Sequence, residues 1–171
     1  MHSVWSGVDE DVVNLQTADA LSAAKYALPH AARHHARGIV MSCGHTNPAV
    51  IQLLADVLPG YGLTPYVVQR ESMGFIFNRI WAALKRETLA VVSEGVASAE
   101  VVNAIYSQAT GSQRGPFRLM DAVGLDVVLS IDENYAQHRL GLPEGPRILL
   151  KKMISEGRFG VKSSRGFYDY Q

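Results

Sequence analysis

A single cysteine, Cys43, stands in 171 residues. That excludes an intrachain disulfide and a thiolate-rich metal site. Nothing beside Cys43 in sequence would activate its thiol, so it reads as a small buried residue. Charge of either sign is not in excess: 16 Lys and Arg balance 16 Asp and Glu, for a formal net charge of zero. Proteins that grip phosphate backbones carry a basic footprint, so no nucleic-acid partner is expected. A neutral chain also has little colloidal repulsion, which favours self-association. No apolar run approaches the ~20 residues that span a bilayer, so no membrane partner is expected either. The N-terminus lacks the basic-then-apolar order of a secretory signal, and Asp9-Glu10-Asp11 follows at once. Asp169-Tyr170-Gln171 at the other end is not a peroxisomal address. A reducing, cytoplasmic setting is the default expectation.

What is present is an ordinary globular composition, 47% hydrophobic and 19% charged, on a length that supports a real core. Ala18–Ala27 is alanine-rich and points to a helix that Pro29 ends. A basic, histidine-rich stretch leads into Gly38-Ile39-Val40-Met41, a short β-like run. Asn47-Pro48 starts a helix, with apolar residues from Val50 to Leu58 at helical spacing and Pro59-Gly60 as its stop. Tyr66-Val67-Val68 reads as the next strand. This is the grammar of a parallel α/β sheet, with only its last unit legible. From Gly74 the pattern is helical: Phe75–Glu94 stopped by Gly95, a helix capped by Ser98, a short one opened by Pro116, one over Asp126–His138, and one after Pro146. The glycine-punctuated tail from Gly160 to Tyr168 is expected to pack back as a lid.

Five landmarks occur in order: Gly74-Phe75-Ile76-Phe77-Asn78-Arg79; Glu87; Glu94-Gly95-Val96-Ala97-Ser98; the run from Gly115-Pro116-Phe117 to Gly124-Leu125-Asp126; and Gly160-Val161-Lys162 to Gly166-Phe167-Tyr168. Together they resemble the C-terminal domain of the L-3-hydroxyacyl-CoA dehydrogenases. The resemblance is firm from Ser72 onward. It implies a mostly α fold: a helical bundle like the C-terminal domain of 6-phosphogluconate dehydrogenase, closing a substrate cleft and forming a homodimer, preceded by a truncated α/β remnant. On this reading residues 1–37 are a divergent N-terminal segment, 38–72 the remnant and 73–171 the helical domain. Family members open with a Rossmann domain carrying G-x-G-x-x-G for the pyrophosphate. No such spacing occurs here; Gly60-Tyr61-Gly62 follows a helix and has no third glycine in register. No cofactor is therefore expected and NAD binding is improbable, although a CoA moiety can belong to the substrate.

The resemblance carries over an asparagine and a His–Glu pair. Asn78 matches the asparagine, whose amide would stabilise an oxyanion; the structural reading is a helix cap. The family's histidine falls on His30 if two residues are missing near Val40-Met41, and on Ala27 otherwise. No glutamate lies in Gly38–Met41. His30 and His45, among the histidines before the long helix, are candidate bases, while His34 and His35 read as a solvated loop. The i, i+4 pair His30 and His34 lacks a third ligand, so no metal is expected. Glu87 falls on the stripe Phe77, Ile80, Leu84, Val91, where a carboxylate is either an acid/base or, more ordinarily, paired with Arg79 or Arg118. Phe77, Trp81 and Phe117 would line a small apolar pocket together with Tyr106 and Met120, the last two read as plain core. Lys85, two turns beyond Asn78, would meet an anionic substrate or else lie on the surface.

Three readings follow. The first is a cofactor-independent acid/base enzyme (dehydration, cyclisation or isomerisation) on a small keto- or hydroxyacyl-type substrate. The second is a non-catalytic helical dimerisation or binding module. The third is a fragment of an NAD-dependent 3-hydroxyacyl-CoA dehydrogenase, against which the unmatched residues 1–29 weigh.

Overall fold

The computed structural model describes residues 12–16, 36–42 and 45–171. The chain divides into two compact units between Ile76 and Phe77. The expected helix at Ala18–Ala27, His30, His34, His35 and Cys43 lie outside the described residues.

The first unit is a three-stranded parallel sheet in the order β1 (Val12–Gln16), β2 (Ala36–Met41), β3 (Leu63–Val67). β1 was not expected: five residues with two consecutive valines and two amides carry too weak an alternation to announce a strand. β2 and β3 are joined by α1 (Pro48–Val57) and a 3₁₀ turn over Leu58–Tyr61. Asn47 caps α1, its side-chain oxygen accepting from the Ala49 N–H at 2.9 Å, and Pro48 fills the first turn, where its missing N–H costs nothing. Gly62, at φ 77°, supplies the left-handed step into β3. β3 begins earlier than Tyr66 and includes Pro65. That residue is tolerable because β3 is an edge strand among the described residues. Val40, Leu54, Leu58 and Leu63 form the core. Leu53 and Val57, on the same apolar stripe of α1, remain exposed.

The second unit is helical: α2 (Phe77–Ser93), α3 (Ala99–Thr110), α4 (Pro116–Val123), α5 (Leu125–His138) and α6 (Gly145–Ser155). Leu89, Phe117, Met120, Leu125, Val128, Leu150 and Met153 fill its centre. Fully burying such side chains stabilises by roughly 1.5–3 kcal/mol each before entropy is counted. Gly95 at φ 73° ends α2, and Ser98 caps α3 through the Val101 N–H. α4 is capped from a distance: the buried Asn103 of α3 accepts from the Phe117 N–H at 3.0 Å. A Cβ at Gly115 would collide with the Asn103 side chain, which is why the residue ahead of Pro116 is glycine.

Candidate functional site

α2 carries most of the candidate residues, and its orientation differs from the hydropathy reading. The stripe Phe77, Ile80, Leu84, Glu87, Val91 does not face the core: Ile80 is 62% exposed and Glu87 is exposed. The buried face is Trp81, Ala82, Lys85, Arg86, Leu89 and Ala90. Long cationic side chains have apolar stems that pack like aliphatic residues, and a carboxylate inside the bundle receives the guanidinium. Two charges thus occupy the inward face where a hydropathy scale places Ile80 and Leu84. Lys85, read as a surface lysine or a substrate contact, is 5% exposed. Glu87 makes no ion pair with Arg118, whose guanidinium lies 4.2 Å from the centre of the Tyr168 ring.

Asn78 stands at the second position of α2, exposed. It is inside the helix rather than at its cap, and its side-chain amide makes no hydrogen bond among the described residues. An amide in that state has two N–H donors and one carbonyl available. Phe77, beside it, is half-buried. The entry to α2 is conformationally unusual, since Gly74 and Phe75 both adopt positive φ, 74° and 48°. The Phe75 N–H donates to the Ser72 carbonyl at 2.9 Å. A bulky residue in the left-handed region costs of order 1–3 kcal/mol and marks segments whose conformation is imposed by their surroundings.

Behind that face lies a charged cluster. Arg86 Nε donates to Asp132 Oδ1 at 2.8 Å and Arg147 Nη1 to Asp132 Oδ2 at 3.1 Å. The Lys85 ammonium is 5.7 Å from the centre of the Trp81 ring, and the Arg86 guanidinium 5.5 Å from that of Tyr135. Trp81 Nε1 and Arg86 Nη2 are buried without a partner among the described residues. Burial pushes the Lys85 amine down to about 8, against the attraction of Asp132 and with added repulsion from Arg86. Arg86, Asp132 and Arg147 carried no sequence signal as a group, because their partners lie 46 and 15 residues apart.

A second polar centre fastens the tail. Asp121, fully buried, accepts from the Phe167 N–H at 2.9 Å, the Tyr168 N–H at 3.0 Å and the Tyr170 hydroxyl at 2.9 Å. A Cβ at Gly160 would strike the Asp121 backbone, and one at Gly166 would strike its carboxylate. The glycine-rich tail thus packs back as expected, with this carboxylate as one of its anchors. Asn103 links the same region to α3, donating to the Tyr168 hydroxyl at 2.6 Å. Phe117 is enclosed against Phe167 at 4.4 Å between ring centres, and Met120 is likewise fully buried. Tyr106 is partly exposed.

Of the sequence-derived site residues, the structure gathers Trp81 and Lys85. His45 belongs to the first unit, exposed on the approach to α1, while Asn78, Glu87 and Phe117 belong to the second. No group of three His, Cys, Asp or Glu among the described residues is placed to hold a metal ion, and no helix among them is long and apolar enough to cross a membrane.

The sequence profile described as 3-hydroxyacyl-CoA dehydrogenase, C-terminal domain, matches residues 74–170. A 3-hydroxyacyl-CoA dehydrogenase-like protein of Cochliobolus heterostrophus is 42% identical over 134 residues, covering 75% of this chain and 28% of that protein. A probable 3-hydroxybutyryl-CoA dehydrogenase of Deinococcus radiodurans is 33% identical over 141 residues, covering 72% of this chain and 50% of its own length. Among solved structures, the (S)-3-hydroxybutyryl-CoA dehydrogenase of Ralstonia eutropha superposes with a TM-score of 0.68 at 27% identity, over 78% of this chain and 47% of that one. The chain thus spans half or less of the length of these relatives.

Proposed function

The chain belongs to the 3-hydroxyacyl-CoA dehydrogenase family through that family's C-terminal domain, and on that premise we propose that it is a cofactor-independent acid/base enzyme acting on a small keto- or hydroxyacyl-type substrate. The observation that carries this reading is Asn78: an exposed amide, unbonded among the described residues, at the start of the longest helix described, in the motif that the family resemblance assigns to carbonyl binding. Its N–H would donate to a substrate carbonyl and hold the negative charge that grows on that oxygen as a neighbouring C–H is deprotonated. Glu87, exposed on the same helix, would be an acid/base, and His45 and His30 are the bases that the sequence alone offers. Phe77 would supply apolar contact beside Asn78. Trp81 and Lys85, on the inward face of the same helix, would back that contact, and Phe117 would act through the core behind it. A proton-transfer reaction of this kind needs no pyrophosphate fingerprint, and these 171 residues contain none. The substrate is a carboxylic acid or thioester, with CoA as one carrier, and two copies of the chain would pair through exposed Ile80, Val101 and Ile105.

The test is turnover of a panel of β-keto and β-hydroxy acids and thioesters by the wild type and by Asn78→Ala, with NAD(H) titrated in parallel. We expect kcat to fall about 10²–10³-fold, as for loss of one oxyanion donor, with an unchanged melting temperature and no NAD(H) binding. Full activity in the variant would sink the proposal. A second reading, one part of an NAD-dependent dehydrogenase completed by other chain segments, is favoured by the names and greater lengths of the relatives; saturable NAD(H) binding would select it.

A further inference from the structure

The two outer strands of the sheet are built differently. The Val68 N–H donates to the Val40 carbonyl at 2.8 Å. Within a strand, the N–H and C=O of one residue point to the same side, and the side alternates from residue to residue. Thr64 and Tyr66 therefore turn their backbone groups to β2, while Leu63, Pro65 and Val67 turn theirs outward. Pro65 has no N–H, so the outer row of β3 is broken at its centre. Natural edge strands are blunted in this way. The same alternation runs on across the sheet. Gly38 and Val40 turn their backbone groups to β3, so Arg37, Ile39 and Met41 turn theirs to β1, where Ile39 is paired with Asn14. In a parallel ladder this leaves Val13 and Leu15 bonded to β2, and Val12, Asn14 and Gln16 with N–H and C=O on the outer side. No strand lies against that row among the described residues. It contains no proline, glycine or charge, so nothing blunts it.

We propose that β1 is an interface strand, pairing antiparallel with β1 of a second copy of this chain and joining two sheets into one across a twofold axis. The register follows from the row itself. With the axis at Asn14, Asn14 exchanges both bonds with the partner's Asn14, and Val12 exchanges both with the partner's Gln16. Every outward N–H of Val12, Asn14 and Gln16 then meets a carbonyl, and any other register leaves some unmatched. A twofold contact sets each residue near the axis against itself or a close neighbour, so like charges would repel. β1 carries none, and the chain as a whole has no net charge to keep two copies apart. This contact lies in the sheet and is separate from the pairing through Ile80, Val101 and Ile105 of the helical unit. It is also independent of the reaction proposed for Asn78.

Asn14→Pro tests this by giving β1 what Pro65 gives β3: it removes an outward N–H and no bond to β2. In sedimentation of the whole chain over a range of concentrations, Asn14→Pro is expected to halve the particle mass with circular dichroism unchanged. A second measurement does not depend on the proline being tolerated. With Cys43→Ser in both, a Val13→Cys chain and a Leu15→Cys chain are mixed and oxidised. Val13 and the partner's Leu15 form a non-hydrogen-bonded pair with Cα atoms about 4.5 Å apart, inside disulfide range. Val13 and the partner's Val13 are two residues out of register, too far apart to bridge. A covalent dimer is expected in the mixture and from neither chain alone, and it should persist with Ile105→Lys in both chains, which disturbs only the helical pairing. Equal masses for the wild type and a folded Asn14→Pro would overturn the proposal. So would a wild type that is monomeric at every concentration, as when residues of the same chain cover the edge, or crosslinking that ignores the register. If Asn14→Pro does not fold, the crosslink alone decides.

Discussion

The helical unit contains two buried carboxylates that do opposite things with their surroundings. Asp121 is a single anion met by neutral donors: two backbone N–H groups and a tyrosine hydroxyl. Asp132 is a single anion met by cations, two of them bonded to it and a third, Lys85, left over. Asp121 organises backbone and thereby fixes where the last residues of the chain lie. Asp132 organises long side chains and leaves surplus charge and unfilled donors beside it. Saturated hydrogen bonding produces a fastening; an unsaturated cluster leaves buried charge uncompensated.

That contrast is broken most forcefully at Asp121. Asp121→Ala leaves three part-buried donors without their acceptor, at roughly 1–3 kcal/mol each at most. We expect a loss of about 4 kcal/mol in denaturant unfolding and early cleavage of the tail in limited proteolysis. Loss of stability with the tail still protected would mean that the rim around Gly160 and Gly166, and not the carboxylate, holds it.

Asp132→Asn is expected to cost less, about 2–4 kcal/mol, because the amide keeps one acceptor while two guanidinium groups lose their counter-charge. Asp121→Asn is the matching control. It leaves the neutral donors in place but offers them one acceptor oxygen where two are used. A larger cost at Asp132 than at Asp121 for the same Asp→Asn change would reverse the comparison, making charge balance matter more to this unit than donor saturation.

How much of this was readable beforehand depends on whether the physics is local. The helices from Ser98 to Ser155 were legible because their starts and stops are local: Ser98, Gly111, Pro116 and Pro146 act on the residues next to them. Asn78 is singled out by its motif alone, and the structure adds that the amide is not consumed in capping among the described residues. β1 was not legible, since five residues carry no periodicity without the neighbour they pair with. The rotation of α2 was misread for a related reason. Hydropathy ranks Ile80 above Lys85, but Asp132, 46 residues after Arg86, reverses that ranking. Asp121 lies within the run from Gly115 to Asp126 with nothing local to give it a role, because its partners are 46 to 49 residues away. Contacts at such separations leave no spacing to count.

The smallest expected effect sharpens the comparison most finely, because it concerns a charge that the cluster does not need for its pairing. Lys85→Met keeps the apolar stem and removes the ammonium, so the transfer cost of a buried cation disappears while Arg86, Asp132 and Arg147 keep their bonds. At pH 7 we expect the variant to be as stable as the wild type or up to about 2 kcal/mol more stable. The pH dependence fixes the cause. The folded-state value of Lys85 is depressed, to about 8 against 10.5 for the free side chain, so between those limits the unfolded chain binds more protons than the folded one. Stability attributable to Lys85 therefore rises with pH through the window from about 8 to 10.5, and is flat outside it. Tyr168 and Tyr170, held above their ordinary value by burial, work in the opposite sense at the alkaline end, so the comparison must be the wild type minus Lys85→Met. The difference curve should narrow as pH climbs from 8 to 10.5, with the variant losing its advantage. A difference that does not change across that window would mean that burial does not disfavour the Lys85 ammonium, and that the cluster around Asp132 is as well compensated as the one around Asp121.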